Sequence, residues 1–181
     1  MIVYYTDGSC EPNPGTGGFA VIKNMKPHIL GGENNTTNIR MEGKALIAAL
    51  KDAGKEHAEI YSDSEFWINV ITKWSIPWEA NGWKKKGGKI KNLDIVKEVV
   101  PLYRASNATL VWVRGHNKDK GNELADEYAN KAREQQLNKN SWHNYFVALL
   151  CYCILIKYLL IKRFKNIYTI LIFWKDFYGG L

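Results

Sequence analysis

The run VYYTDGSC at residues 3–10 joins an apolar segment to a carboxylate and a glycine. Residues 2–6 form a short continuous apolar run, which is typical of a strand covered on both faces of a sheet. Asp7 and Gly8 follow directly, and an Asp before a Gly is an ordinary turn signal. Asp7 is therefore either a turn residue or a carboxylate held at a strand end for chemistry.

The composition is that of a globular protein with a modest positive charge. The 181 residues are 46% hydrophobic and 24% charged, with a formal net charge of +7. This length suffices for one domain with a full core, and the composition excludes a disordered chain. The positive charge favours an anionic partner such as nucleic acid. Residues 141–181 contain five basic residues and one acid, so residues 1–140 are only mildly basic.

The cysteines and the N-terminal residues indicate a reducing compartment. Cys10, Cys151 and Cys153 form an odd set without framework spacing, which argues against a disulfide-built secreted domain. The first residues lack the basic and apolar regions of a signal peptide. A cytoplasmic protein is therefore expected.

Residues 1–140 alternate between strand and helix patterns and predict one α/β domain. Strands are predicted at residues 2–6, 19–23, 28–32, 58–62 and 110–113, and helices at 42–53, 64–72, 93–100 and 121–136. The Pro/Gly-rich residues 10–18 are expected to form a loop, and Pro101 is expected to end or kink its helix. The order predicts a layered fold in which an antiparallel hairpin joins parallel crossovers.

Four acidic residues fall where this fold would bring them together. The strands at 2–6 and 58–62 are expected to be parallel neighbours, so Asp7 and Asp63 would lie at one carboxyl edge, the usual place for a site. Glu42 lies on the same helical stripe as Leu46, where a carboxylate is unusual unless it is paired. Asp126 lies at the edge of the apolar side of the last helix.

Clustered carboxylates repel one another and require protons or cations. Oxygen ligands suit Mg²⁺, and two such ions about 3.5–4 Å apart can activate a water and stabilise a leaving oxygen in phosphodiester cleavage. Each acid also has an ordinary explanation, as a turn residue, a helix-dipole partner, a helix-start residue or a solvated charge. The placement of all four acids on one edge of the predicted fold favours a shared metal-binding site over these separate explanations.

Five motifs of the chain resemble type 1 ribonuclease H. They are TDGS at 6–9, NPG at 13–15, TTNIRMEGKALIAAL at 36–50, YSDSEFWINVITKW at 61–74 and WVRGHNKDKGNELADEYANKA at 112–132. They occur in family order. The resemblance implies a three-layer α/β fold whose five-stranded mixed sheet has the order 3-2-1-4-5, with strand 2 antiparallel. It also implies a metal-dependent endonuclease that cuts the RNA strand of an RNA–DNA hybrid, leaving 5′-phosphate and 3′-hydroxyl ends.

The resemblance assigns catalytic roles to five residues. Asp7, Glu42, Asp63 and Asp126 would hold two Mg²⁺ ions, with Mn²⁺ as a substitute. His116 matches a histidine that assists proton transfer to the leaving group or product departure, a role suited to its pKa near working pH. Without its neighbours, a loop histidine is more often a solvent-exposed bystander.

The resemblance also assigns contacts with the hybrid. Asn13 and Asn38 match residues that contact the minor groove, where an amide can both donate and accept. Thr37, Arg40 and Asn92 match a pocket for a phosphate of the DNA strand. A plain turn at residues 37–38 and a surface ion pair at Arg40 are the alternatives.

Glu65 departs from the family pattern, since many relatives have Gln at that position. A carboxylate cannot donate a hydrogen bond, and this one lies two residues from Asp63. Glu65 is therefore expected either to contribute less to substrate binding or to tune metal affinity.

Residues 73–92, KWSIPWEANGWKKKGGKIKN, resemble a basic protrusion found in some family members. Trp74 and Trp83 offer flat surfaces, and Lys84, Lys85 and Lys86 can neutralise phosphates. The lysines follow Trp83, whereas relatives often have basic residues before it, so altered geometry is expected. The alternative is that the tryptophans belong to the core and the lysines to a solvated face.

Residues 141–181 lie outside the resemblance. Residues 145–161 contain one charge, Lys157, which is at the lower limit for a bilayer span. The basic flank after it and the domain before it would both have to be cytoplasmic, which one span cannot satisfy. A degenerate extension ranks first, docking on the domain surface second and membrane association third.

A monomeric nuclease with no obligate protein partner is expected. The rival interpretations are a ribonuclease H domain of the reverse-transcriptase type and a hybrid-binding module without catalysis. The presence of all four acids argues against the second.

Overall fold

The computed structural model describes residues 1–115 and 117–178, with side chains given for 1–115, 117–142, 145–152 and 154. Two compact units are present, Met1–Asn138 and Lys139–Leu181. Within the described part of the chain, no helix is both long enough and apolar enough to cross a membrane.

The first unit is built on a five-stranded mixed sheet. Its strands are β1 (Ile2–Cys10), β2 (Gly15–Lys23), β3 (Lys26–Thr36), β4 (Ala58–Ser62) and β5 (Ala108–Trp112). The spatial order is β3-β2-β1-β4-β5. Strand β2 is antiparallel to both β1 and β3, whereas β1, β4 and β5 are mutually parallel. The predicted sheet order and the antiparallel second strand are confirmed.

Helices connect and cover these strands. They are α1 (Asn38–Ala53), α2 (Glu65–Asn69), a π-helical turn (Val70–Trp74), α3 (Ser75–Ala80), α4 (Leu93–Ala105) and α5 (Lys120–Tyr178). The Thr37 hydroxyl caps α1 by accepting from Arg40 N at 3.4 Å. The Trp67 side chain is fully buried, and Gly43 of α1 leaves room for its indole, since a Cβ there would lie 2.5 Å from the ring.

Of the two interpretations of Asp7, the turn is wrong. Strand β1 runs through both residues to Cys10, with Asp7 opposite Ala20 and Gly8 opposite Phe19 of β2. The loop is confined to residues 11–14. A Cβ at Gly8 would lie 2.2 Å from Glu42 N, so the glycine is required by the close approach of α1.

The predicted helix end near Pro101 is also wrong, because α4 continues through this residue to Ala105. Pro101 lies on the exposed face of the helix, as does Lys97 one turn before it. Proline removes the N–H that the Lys97 carbonyl would accept, and water can replace that partner at an exposed face. Leu102 and Tyr103 beyond it pack against the core.

Asp52 links α1 to three strands. Its carboxylate accepts hydrogen bonds from Lys23 Nζ at 2.8 Å and from the buried Tyr4 hydroxyl at 2.7 Å, and it contacts His28 Nε2 at 2.9 Å. The hydrogen bonds from Lys23 and then His28 hold the pKa of Asp52 well below its usual range. The charged carboxylate therefore stabilises the folded state.

Asp52→Asn should lower the free energy of unfolding by about 1–2 kcal/mol at neutral pH, because a charged hydrogen-bond acceptor is lost. A lowered folded pKa gives stability that is present above the unfolded value near 3.8 and is lost below it. The difference from wild type, measured by urea unfolding, should therefore shrink as the pH falls through about 3.8. Glu98→Gln, which breaks only the exposed pair with Lys51, is the control and should change little. A pH-independent difference would contradict this role of the charge.

Candidate active site

One cavity of about 310 Å³ lies at the carboxyl edge of β1 and β4. Its wall contains the four acids that the sequence predicted as a cluster. The lining residues are Asp7, Gly8, Ser9, Asn38, Glu42, Asp63, Asn122, Glu123 and Asp126. The structure thus brings all four carboxylates to a single cavity.

The parallel pairing of β1 with β4 sets the positions of Asp7 and Asp63. Thr6 pairs with Ser62, the last residue of β4, so the next residue of each chain segment is an aspartate. Asp7 is 8% exposed, and its Oδ1 accepts from the Gly8 N–H at 2.7 Å. Two carboxylates therefore lie side by side where the parallel ladder ends.

Helix α1 brings Glu42 to the cavity, and the residue after Asp63 orients it. The Ser64 hydroxyl donates to Glu42 Oε2 at 2.5 Å and also accepts from Trp67 N, which caps α2. The sequence predicted that a carboxylate on this stripe would need a partner. That partner is Ser64.

Asp126 is held by Asn130, which in turn contacts Ser9, and the sequence analysis missed both residues. Asn130 Nδ2 donates to Asp126 Oδ1 at 3.1 Å, while Asn130 Oδ1 accepts from the Ser9 hydroxyl at 2.6 Å. The chain of hydrogen bonds therefore runs from β1 to α5. Asn130 lies one helical turn after Asp126, and this spacing was the available signal.

Asn122, one turn before Asp126, was missed in the same way. Its Nδ2 donates to Asp63 Oδ2 at 3.3 Å. The residue is 4% exposed, and its Oδ1 has no hydrogen-bond partner among the described residues. A buried acceptor without a partner is costly, so this oxygen adds a free ligand atom to the cavity wall.

Burial and mutual repulsion raise the pKa of two of the acids. For Asp7 the largest cause is burial, followed by the charge of Asp63, and the Gly8 N–H opposes the rise. Burial also raises the pKa of Glu42, against the hydrogen bond from Ser64. The cavity therefore favours neutralisation of its carboxylates by protons or cations.

The donor set is of the type that hard divalent cations prefer, since every group is a carboxylate or amide oxygen. Among the side chains described, no three His, Cys, Asp or Glu groups stand close enough to hold a metal ion as they are placed. The carboxylates line the cavity wall around its open centre.

Comparison with known proteins identifies the family. The ribonuclease H family model matches residues 1–134. The chain belongs to the ribonuclease H family. The ribonuclease H of Francisella tularensis subsp. novicida is 41% identical over 143 residues, covering 76% of this chain and 94% of the relative. That of Francisella philomiragia is 43% identical over 136 residues, covering 72% and 90%.

Two solved structures share this ribonuclease H fold. LC9-RNase H1, a type 1 RNase H with the type 2 active-site motif, is 27% identical, with a TM-score of 0.66 over 75% of this chain and 72% of that one. The N-terminal RNase H domain of Rv2228c from Mycobacterium tuberculosis, solved as a maltose-binding-protein fusion, is 21% identical, with a TM-score of 0.57 over 77% and 97%. At 21% identity, the likeness to the Rv2228c domain shows a shared fold and nothing further. The resemblance to type 1 ribonuclease H and the nuclease class expected from it agree with these matches.

Of the residues expected to contact a hybrid, Asn38 lines the cavity, and four others are linked to it or to one another near the start of α1. Asn13 stands in the exposed loop after β1, and its Oδ1 accepts from Asn38 N at 3.3 Å. Thr37 contacts the Arg40 backbone, and Arg40 Nη1 donates to Asn92 Oδ1 at 3.4 Å. These five residues therefore form two neighbouring groups near the start of α1.

Arg40 already has a carboxylate partner. Its guanidinium donates to both oxygens of Asp94, at 3.0 and 2.7 Å, and this pair raises the pKa of Arg40. The ion pair that the sequence analysis gave as an alternative is present. A phosphate bound at Arg40 would share the guanidinium with Asp94.

The Trp/Lys-rich protrusion contains exposed lysines and mostly packed tryptophans. Lys84, Lys85 and Lys86 are exposed. Trp83 packs against the core with the Lys97 ammonium 6.0 Å from its ring centre, whereas Trp74 is 40% exposed. Trp83 therefore packs as a core tryptophan, as in the alternative interpretation, whereas the Trp74 side chain is partly exposed to solvent.

Glu65 lies apart from the cavity lining. Glu65 lines a separate groove of about 260 Å³ with Ile68, Asn69, Lys73 and Trp112. His116 lies outside the described residues. Gly115 precedes it, and a Cβ there would lie 2.9 Å from Asp63 Oδ2, so this loop begins against the cavity.

Asp7→Asn should raise the free energy of unfolding by about 1–2 kcal/mol at neutral pH in EDTA, since a buried charge that is repelled by neighbouring acids is removed. A raised folded pKa means that stability falls as the pH rises above the unfolded value near 3.8. The increase in the free energy of unfolding of Asp7→Asn over wild type, measured by urea unfolding, should therefore vanish below about pH 3.8. Asp119→Ala is the opposite control, because it removes the acceptor of the Gly121 and Asn122 N–H groups and should destabilise. A loss of stability in Asp7→Asn would refute the electrostatic cost.

Proposed function

We propose that this protein hydrolyses the RNA strand of RNA–DNA hybrids with the help of two bound Mg²⁺ ions, for which Mn²⁺ can substitute. The observation that carries the proposal is the cavity lined by Asp7, Glu42, Asp63 and Asp126 in a chain of the ribonuclease H family. The raised pKa of Asp7 and of Glu42 supports a site that is completed by cations.

The four carboxylates would hold the ions, and neutral neighbours would orient them. Ser64, Asn122 and Asn130 each donate to one oxygen of an acid, which leaves the other oxygen available. When bound, the ions supply activation of the attacking water and stabilisation of the leaving oxygen. Attack at phosphorus breaks the bond to the 3′ oxygen and leaves a 5′-phosphate on the downstream fragment. His116 is proposed to assist proton transfer to that leaving oxygen.

Substrate selection would depend on the surface around the cavity. The amides of Asn13 and Asn38 can donate to and accept from a ribose 2′-hydroxyl in the wide minor groove of a hybrid. Arg40 with Thr37 and Asn92 would hold a phosphate of the DNA strand, which fixes register without reading sequence. The exposed Lys84, Lys85 and Lys86 would add phosphate contacts.

The decisive experiment compares three labelled duplexes. With Mg²⁺ the protein should cleave the RNA strand of an RNA–DNA hybrid, release 5′-phosphate ends, and leave double-stranded RNA and DNA intact. EDTA should abolish cleavage. Asp7→Asn should reduce the rate about a hundredfold or more, because a ligand that stabilises the transition-state charge is lost, while hybrid binding persists. Activity in EDTA or on double-stranded DNA would overturn the proposal, and binding by wild type without cleavage would indicate a hybrid-binding module.

Asn130→Ala should weaken Mg²⁺ binding about tenfold, because it frees the Asp126 carboxylate to rotate. Titration calorimetry without substrate measures this independently of activity. Ser9→Ala should have a smaller effect in the same direction, since Asn130 would still donate to Asp126. Gln135→Ala removes an exposed amide from the same helix and serves as the matched control. Unchanged Mg²⁺ affinity in Asn130→Ala would exclude this positioning role.

A further inference from the structure

The part of α5 that belongs to the second unit exposes a stripe of large apolar side chains. Trp142, Tyr145, Phe146, Leu149 and Leu150 follow one another at helical spacing and so share one face. Their exposed fractions are 74%, 68%, 64%, 49% and 53%, respectively. An uncovered apolar face of this kind marks a contact surface.

The opposite face of the same turns carries smaller side chains. Val147, Ala148 and Cys151 lie there, and Tyr152 and Ile154 continue the exposed apolar surface beyond them. The opposite face is therefore apolar as well, and what distinguishes the stripe is that it gathers bulky aromatic side chains on one side. Trp and Tyr are the side chains that favour the boundary between lipid and water.

The charges around the stripe identify its partner. No acidic residue occurs between Glu134 and Asp176, whereas Lys139, Lys157, Lys162, Arg163, Lys165 and Lys175 fall in that interval. A second copy of the segment would bring only like charges together and offer no ion pairs. An anionic phospholipid surface supplies both the apolar boundary and the negative headgroups.

The same charges argue against insertion across the bilayer. The uncharged stretch of the segment covers residues 140–156 and opens with the polar run NSWHN. A spanning helix needs about 20 predominantly apolar residues. In a longer span the basic residues at 157–165 would enter the hydrocarbon at high cost.

We propose that residues 139–175 bind the surface of an anionic phospholipid bilayer, with the stripe of Trp142, Tyr145 and Phe146 at the lipid–water boundary and the basic residues on the headgroups. The proposal does not depend on the hydrolysis of hybrids. It adds a lipid-binding element to the chain.

The test is co-sedimentation of the full chain with two kinds of vesicle, phosphatidylcholine alone and phosphatidylcholine with phosphatidylglycerol. Wild type should bind the second kind at least about tenfold more strongly, and added salt should weaken binding. Combined substitution Trp142→Gln, Tyr145→Gln and Phe146→Gln should reduce binding at least about tenfold while every charge stays in place. The matched control is Val147→Gln, Ala148→Gln and Cys151→Gln on the opposite face, which should bind nearly as wild type.

Three results would overturn the proposal. They are equal binding to both vesicle types, full binding by the stripe variant, and self-association in sedimentation velocity without binding to vesicles. Circular dichroism checks that the stripe variant keeps its helix. Because the vesicle assay contains no hybrid, failure here leaves the nuclease proposal untouched, and an inactive nuclease can still bind the vesicles.

Discussion

The parallel pairing of β1 with β4 is the constraint on which the site depends. Its last pair, Thr6 with Ser62, fixes two neighbouring chain segments at one edge, and each then presents an aspartate. Neighbouring parallel strands have their carboxyl ends at the same edge of the sheet, so Asp7 and Asp63 lie close together. Burial at this edge, followed by the charge of Asp63, raises the pKa of Asp7.

Two glycines of the sheet then allow helices to bring the remaining acids. A Cβ at Gly8 would collide with the backbone of α1, and one at Gly18 would lie 2.2 Å from Arg133 N of α5. Helix α5 turns Ala125, Ala129 and Ala132 inward, so it too lies close to the sheet. Close packing by small residues thus fixes the distance between the helices and the paired aspartates.

The sequence predicted the α/β class and the cluster of four acids because the strand and helix patterns and the residues after strand ends are local features. The full sheet order was implied by the resemblance to type 1 ribonuclease H. The sequence predictions were wrong at residues whose identity is explained by packing against distant parts of the chain rather than by local backbone structure. Gly8 follows Asp7 as in a turn, yet the glycine accommodates α1. Pro101 should end a helix in isolation, but its exposed position lets α4 continue and bury the side chains beyond it.

Other details depend on side-chain contacts that no local pattern specifies. The hydrogen bond between Ser9 and Asn130 joins residues 121 positions apart. Trp83 lies in a lysine-rich segment that suggests an exposed ring, although its indole packs against the core. Such contacts depend on how the strands and helices pack against one another, so the sequence pattern of a single element does not predict them.

Among the described residues, neutral donors rather than basic side chains hold the four acids. The hydrogen bonds come from the Gly8 N–H, the Ser64 hydroxyl and the amides of Asn122 and Asn130. Nearby guanidinium groups have acidic partners elsewhere, Arg40 with Asp94 and Arg133 with Glu11. An internal lysine or arginine would neutralise the cavity, whereas a neutral donor orients a carboxylate and preserves its charge.

The negative charge of the cavity opposes the approach of a nucleic acid. A negative cavity attracts cations and repels phosphates, so the attraction for a duplex must come from outside it. The exposed lysines after Trp83 are separate from the cavity lining and carry that opposite charge. Because the two signs are kept apart, one part of the domain has a potential that favours cations and another a potential that favours anions, which a single mixed surface would not provide.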